Sequence, residues 1–210
     1  MVVAVAGLRN ERTRQSRELL LAAASELFAE NGYRATSLAD VAERSGVSRG
    51  SIPWHFGDKA GLLSAVAQRV QEDLDRGVAH PAAAGAVGAL EIAEFATTAV
   101  RARTTRVILA LLQEATDPAS PIHDSFADMH ASLREFFTAW ISRPEVRSGL
   151  PDGVEPSHLA TAMVGAMIGV NQQWNLNPAA VDVDAAYFGL VRTLFLSLNW
   201  SERDATGRRF

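Results

Sequence analysis

The stretch ELFAENGYRATSLADVAERSGVSRGSIPWHFGDKAGLL, Glu26–Leu63, decides the fold. Asn31-Gly32 supplies a left-handed stop for a preceding helix, because glycine takes positive φ without a Cβ clash. Ser37 is placed to cap the next helix, and Asp40 three residues on closes an acidic capping box at the positive end of the helix dipole. Leu38, Val41 and Ala42 then face inward. Gly46 ends that helix, Val47 plugs the corner, and Ser48 caps a third segment. Gly57 breaks the chain again, and Asp58 caps a fourth helix carrying Leu62, Leu63, Val66 and Val70 to about Arg76. Two short helices joined by a tight glycine turn, braced by longer ones, outline a helix-turn-helix.

Pro53 sits inside the second helix of that pair. Proline has no N–H, and its ring meets the carbonyl four residues back, which costs roughly 3 kcal/mol in a helix interior. With Ser48 as cap, Pro53 is the fifth helical residue, and the Arg49 carbonyl loses its donor. Water reaches that end, so the penalty falls below the interior figure. Ile52, preceding the proline, is pushed away from helical angles. The expectation is a third helix kinked or loosened in its first turn.

Outward from this stretch, helical periodicity dominates and no strand alternation of useful length occurs. Upstream, Leu19, Leu20, Ala23, Leu27 and Phe28 repeat at helical spacing. Downstream, Gly77 to Gly88, with Pro81, reads as a connector. Further helices are expected near 89–102, 104–116, 121–142, 156–175 and 183–199, with Pro121 and Pro156 as first-turn prolines and a loop over Arg143 to Gly153. The fold class is all-α, about nine helices. It divides into an N-terminal arm and helix-turn-helix domain (1–58), a connecting helix and linker (59–80), and a C-terminal helical bundle (81–210).

The bulk numbers fit a chain able to bury a core: 210 residues, 48% hydrophobic and 21% charged. The absence of cysteine excludes disulfides and thiolate metal sites. No apolar run approaches the roughly 20 residues of a membrane span, and the N-terminus has its apolar run before its charges, the reverse of a secretion signal. The expectation is a soluble, cytoplasmic protein. Net charge is −4, but the eight basic and seven acidic residues through Lys59 give that part +1, leaving −5 for the remainder. The asymmetry permits nucleic-acid binding through one local face without forming a basic footprint.

Glu26–Leu63 resembles the DNA-binding region of TetR-type transcriptional regulators. The matching residues are Phe28, Gly32, Tyr33, Ala35, Thr36, Ser37, Val41, Ala42, Gly46, Val47, Ser48, Gly50, His55, Phe56, Lys59, Leu62 and Leu63, in order and without a gap. Such regulators usually carry tyrosine where this chain has Pro53, so one phosphate contact is missing. The resemblance implies a homodimeric, ligand-responsive repressor. Each subunit would place its Ser48–Phe56 helix in a major groove of a roughly palindromic double-stranded DNA operator, and a small-molecule effector would release it. The alternative is a small-molecule-binding or protein-interaction module of the same fold, its DNA binding weakened by Pro53.

The residue chemistry supports the comparison independently. Ser37 and the N–H groups at the start of its helix suit a phosphate, and Arg44 and Lys59 add cations. Arg49 and Ser51 lie early on the third helix, where arginine can bond guanine bidentately. Gly50 lets backbone approach DNA closely. Ser37, Ser48 and Asp58 are equally well explained as caps, and Arg44 as solvated. Trp54 either stacks on sugar-phosphate or covers the domain, His55 is either a contact or a turn residue, and Phe56 is core.

In the C-terminal half, Met129, His130, Met163, Met167, Gln173 and Trp174 are the candidate ligand contacts, on apolar stripes that serve equally as core. Ala162, Gly165, Ala166 and Gly169 form a small-residue face for close helix packing. The resemblance implies a dimer contact there with helix 183–199; packing within one subunit is the other reading. Asp124 with Asp128, and His123 with His130, have helical spacing but no fuller ligand set, so no metal or other cofactor is expected. No nucleophile elbow, phosphate loop or paired-carboxylate site is legible, so no enzyme is expected.

Overall fold

The computed structural model describes residues 2–83 and 103–197. Its described elements are α1 (Val2–Asn31), α2 (Leu38–Ser45), α3 (Ser51–Phe56), α4 (Lys59–Ala83), α5 (Arg103–Ala115), α6 (His123–Ile141), α7 (Pro144–Arg147), α8 (Pro156–Leu176) and α9 (Val183–Ser197). The all-α expectation holds. The helix expected near 89–102 lies outside the described residues, and the helices expected at 104–116, 121–142, 156–175 and 183–199 are described within two residues of those bounds.

The chain forms two compact units, residues 1–73 with 106–126 and residues 74–105 with 127–210. In the first, α2 and α3 pack on α1. The inward stripe of α1 carries Leu20, Ala24, Leu27 and Phe28, and Val41, Ile52, Leu62 and Leu63 of the following helices are buried like them. Each of the Leu, Ile, Val and Phe side chains contributes about 1.5–3 kcal/mol when fully buried. Leu19, in the same apolar run, is 45% exposed because it falls off that stripe. From α5, Val107 and Leu111 are buried as well.

The turns follow the local chemistry. The Gly32 N–H donates to the Phe28 carbonyl at 3.0 Å with φ at 81°, and Gly46 ends α2 at φ 67°. Both positions favour glycine because a Cβ is strained there. The Ser37 capping box is complete: Asp40 N–H donates to Ser37 Oγ at 3.2 Å, and Ser37 N–H to Asp40 Oδ2 at 2.8 Å. Asp58 Oδ1 accepts from the Gly61 N–H at 2.8 Å and opens α4.

Four expectations need correction. Ser48 does not cap α3; Gly50 does, with no side-chain bond, and Ser48 Oγ instead meets Ser51 Oγ at 3.4 Å. Pro121 stands two residues before α6 rather than in its first turn, in a turn where the His123 N–H donates to the Ser120 carbonyl at 3.1 Å. The loop after Arg143 contains α7, started by Pro144 in its first turn and anchored by buried Val146. Finally, α4 runs to Ala83, beyond Arg76. The alanines that read as a linker are also strong helix formers, and the helix continues past Pro81.

In the second unit, α8 and α9 pack together. Phe137, Trp140, Ile141, Val146, Ala160 and Met163 form its main buried cluster, with Met167 packed against it. Pro156 opens α8 as the expected first-turn proline.

Candidate nucleic-acid interface

The interface is built on α2, the turn after it, and α3. Around Pro53 the chain enters α3 by short-reach bonds: Ser51 N–H to Ser48 C=O at 2.9 Å and Ile52 N–H to Arg49 C=O at 3.2 Å. With the helix starting at Ser51, Pro53 falls in its first turn, where an N–H has no helical partner to lose. The first turn is tightened rather than kinked. Ile52 keeps helical geometry and is fully buried, contrary to the expected displacement. The Pro53 carbonyl accepts from Gly57 N–H at 2.9 Å and closes the helix.

This geometry leaves a polar and aromatic edge outside. Arg49 and Gly50 lie exposed in the turn ahead of α3 rather than on the helix, Ser48 is exposed beside them, and Ser51 is half-buried at the helix start. Trp54 is 70% exposed, its ring edge-on to His55 with centroids 4.5 Å apart. A large aromatic held out in water on a short helix is available to stack. Phe56 is half-buried, with the Arg17 guanidinium over its ring at 5.3 Å. Burial, with the Arg17 charge adding to it, lowers the His55 imidazole below its ordinary value.

Two cations expected at phosphates have protein partners. Arg44 forks onto α1, with Nη2 to Glu30 Oε2 at 2.9 Å and Nη1 to Glu26 Oε2 at 3.3 Å. Glu30 and then Glu26 raise its guanidinium further above the arginine value. Its charge ties α2 to α1. Lys59, the first residue of α4, places its ammonium 4.5 Å from the Tyr33 ring centre and donates to the Arg34 carbonyl at 3.3 Å. Burial lowers its ammonium, opposed by the carboxylates of Glu114 and Asp40. The exposed Ser37 carries the capping box, and hydrogen bonding to Ser37 holds the Asp40 carboxyl below its usual range.

Sequence reasoning missed Thr36 as a structural lock. It is 1% exposed, and its Oγ1 lies 2.9 Å from the Gly32 carbonyl and 3.2 Å from that of Leu27, joining the loop to the end of α1. The signal was a hydroxyl immediately before a cap, where it can serve the preceding helix end. It also missed the ion pair of Arg34 with Glu114, whose Nε and Oε2 are 3.0 Å apart.

A family profile described as "Bacterial regulatory proteins, tetR family" matches residues 20–66, the segment that carries this geometry. The HTH-type transcriptional regulator TtgR of Pseudomonas putida is 30% identical over 185 residues, covering 82% of this chain and 86% of TtgR. The chain belongs to the TetR family of bacterial regulatory proteins. It is a transcriptional regulator rather than an enzyme. The crystal structure of NalD, described as the secondary repressor of the MexAB-OprM multidrug efflux pump in Pseudomonas aeruginosa, is 25% identical. It matches with a TM-score of 0.68, over 89% of this chain and 96% of NalD. A regulator from Chloroflexus aurantiacus at 20% identity shares the fold, with a TM-score of 0.74 over 88% of this chain and 96% of its own.

In the second unit of this TetR-family chain, the ligand candidates fall into different settings. Met129 and Met163 are buried, Met163 belongs to the main core cluster, and Met167 packs against it. Trp174 packs against Val183 and Tyr187, while Gln173 is exposed. His130 is half-buried, and burial, then Arg134, lowers its imidazole. Ala162, Gly165 and Gly169 are exposed and Ala166 is half-buried. Leu176, 74% exposed, and Phe188, 51% exposed, add apolar surface on α8 and α9. Among the described residues no three histidines or carboxylates gather as a metal would need, and His123 Nδ1 lies 2.9 Å from the Ala115 carbonyl. No described helix is long and apolar enough to cross a membrane.

Proposed function

We propose that this chain is a ligand-responsive transcriptional repressor that binds a roughly palindromic operator as a homodimer and is released by a small molecule. The observation that carries the reading is the outward edge of α3 and its entry turn, with Arg49, Ser51 and Trp54 presented beside Ser48, Gly50 and His55. In a major groove, Arg49 and Ser51 supply base-edge contacts, Gly50 allows close approach, and Ser37 and Lys59 position the backbone phosphates. Arg44 acts through α1, by holding α2 in place. NalD's description as a repressor of an efflux pump supports repression. The rival reading, a binding module with weakened DNA recognition, drew on Pro53; a proline in the first turn of α3 gives it little support.

The dimer uses α8 and α9, where the small residues Ala162, Gly165 and Gly169 lie exposed on the same helix as Leu176, and α9 exposes Phe188. The effector occupies the second unit among Met129, His130, Met163, Met167, Gln173 and Trp174, a largely apolar set with few polar groups. Release requires that the effector prefer the conformation that does not bind DNA.

The reading is tested by selecting bound molecules from a random double-stranded DNA library with full-length protein at moderate salt. An enriched palindrome whose affinity falls steeply with salt is expected. Folded protein that enriches nothing would overturn the proposal.

A further inference from the structure

Resting on the DNA-binding reading above, we propose that Arg34 is a further DNA-backbone contact, and that Glu114 of α5 competes with a phosphate for its guanidinium. The pair joins residues 80 apart in sequence, Nε to Oε2 at 3.0 Å. Its two sides differ sharply: the Arg34 side chain is 80% exposed, whereas that of Glu114 is 17% exposed. Arg34 therefore presents most of its donor fork to solvent while one edge is held. Guanidinium carries five donors in a rigid plane and can bond a carboxylate and a phosphate oxygen at once, or exchange one for the other.

Its place in the fold favours the phosphate. Arg34 stands three residues before Ser37, the cap of α2, and its carbonyl accepts from Lys59 at the start of α4. Ser37 and Lys59 are the backbone-positioning residues of the proposed interface, so Arg34 is joined to the same edge. Glu114 sits in the last turn of α5, where the helix dipole disfavours an acid and a nearby cation relieves it. Its charge also bears on Lys59 and on Tyr33, whose phenol burial and Glu114 raise. One carboxylate thus faces two cations at the edge that meets DNA. On the Arg34 side, 80% exposed, solvent screens the pair, so a phosphate can displace it.

The test uses full-length protein, the operator recovered by library selection, and binding measured from about 50 to 200 mM salt. Glu114→Gln is expected to steepen the slope of log affinity against log salt by the part of one phosphate's worth, about 0.9 in all, that Glu114 withholds in the wild type, and so by at most about threefold over that range. Arg34→Gln makes the slope shallower than wild type, and in that background Glu114→Gln adds nothing. Arg34→Lys retains the wild-type slope, so a loss confined to Arg34→Gln follows the charge at residue 34 rather than the fold. Circular dichroism confirms that each variant is folded, and Arg34→Gln and Arg34→Lys alone decide the matter if Glu114→Gln is not. Slopes identical to wild type in folded Arg34→Gln and Glu114→Gln would overturn this inference and leave the DNA-binding reading standing. Wild-type protein without salt-dependent binding would overturn both.

Discussion

The Ile52 N–H donates to the Arg49 carbonyl at 3.2 Å, taking the acceptor that residue 53 would have used in a longer helix. Pro53 therefore deprives nothing of a donor. The consequence has a sign. If Pro53 were an interior proline, replacing it with alanine would stabilise the protein by roughly 3 kcal/mol. In its first-turn setting, Pro53→Ala instead lowers stability by about 0.4–1 kcal/mol, because the unfolded chain regains freedom. Urea unfolding of the two proteins distinguishes these outcomes.

What the sequence made legible was local chemistry. The Ser37–Asp40 box, the glycines at 32 and 46, and the Asp58 cap each involve groups within four residues of one another, so spacing alone specifies them. Read from Ser48, the helix start is misplaced, since the start at Ser51 depends on bonds from the Ser51 and Ile52 N–H groups to the Ser48 and Arg49 carbonyls, which any residues but proline can donate. The roles of Arg44 and Arg34 were not legible. Their partners, Glu26, Glu30 and Glu114, are brought close by packing, and an arginine in a sequence reads the same whether a phosphate or a carboxylate awaits it. In the second unit, Met163 and Met167 show why apolar stripes do not announce a pocket: the same side chains fill the core.

His55 gives the stability a pH dependence. Its folded-state imidazole lies below the ordinary value of 6.5, through burial and then Arg17. The unfolded chain takes up the proton first, so acidification below about pH 6.5 favours unfolding until folded His55 is also protonated. His130 shifts the same way, through burial and Arg134. Stability should fall as the pH drops through about 6.5, the unfolded-state value, and His55→Gln should flatten part of that fall, read from denaturation midpoints at each pH. An unchanged slope in His55→Gln would remove His55 from the account.

The proposed dimer face makes a separable prediction at Gly169. A Cβ built there meets no atom within 4 Å. Gly169→Ala should accordingly stabilise the helix by about 0.5–1 kcal/mol. Gly169→Glu leaves the subunit folded but places a charge in the subunit contact, so sedimentation should move from dimer to monomer. A dimer unaffected by the glutamate would place the contact elsewhere.

Gly50 and Gly61 lie on either side of the same short helix and should respond differently to alanine. At Gly61 a Cβ would fall on the Phe56 backbone carbonyl oxygen, with the carbonyl carbon at 3.1 Å. Backbone cannot swing aside as a side-chain end can, so Gly61→Ala forces α3 and α4 apart and lowers stability by about 1–3 kcal/mol, the usual range for overpacking. At Gly50 the nearest atom to a built Cβ is Ser48 Oγ at 3.7 Å, ordinary contact, and φ of −64° suits any residue. Gly50→Ala should leave the melting temperature within a degree or two of wild type, roughly the effect of a neutral surface change, and weaken DNA binding by crowding the close approach. Thermal melting paired with operator affinity separates the two. Equal loss of stability in both variants would show that Gly50 serves the fold rather than the interface.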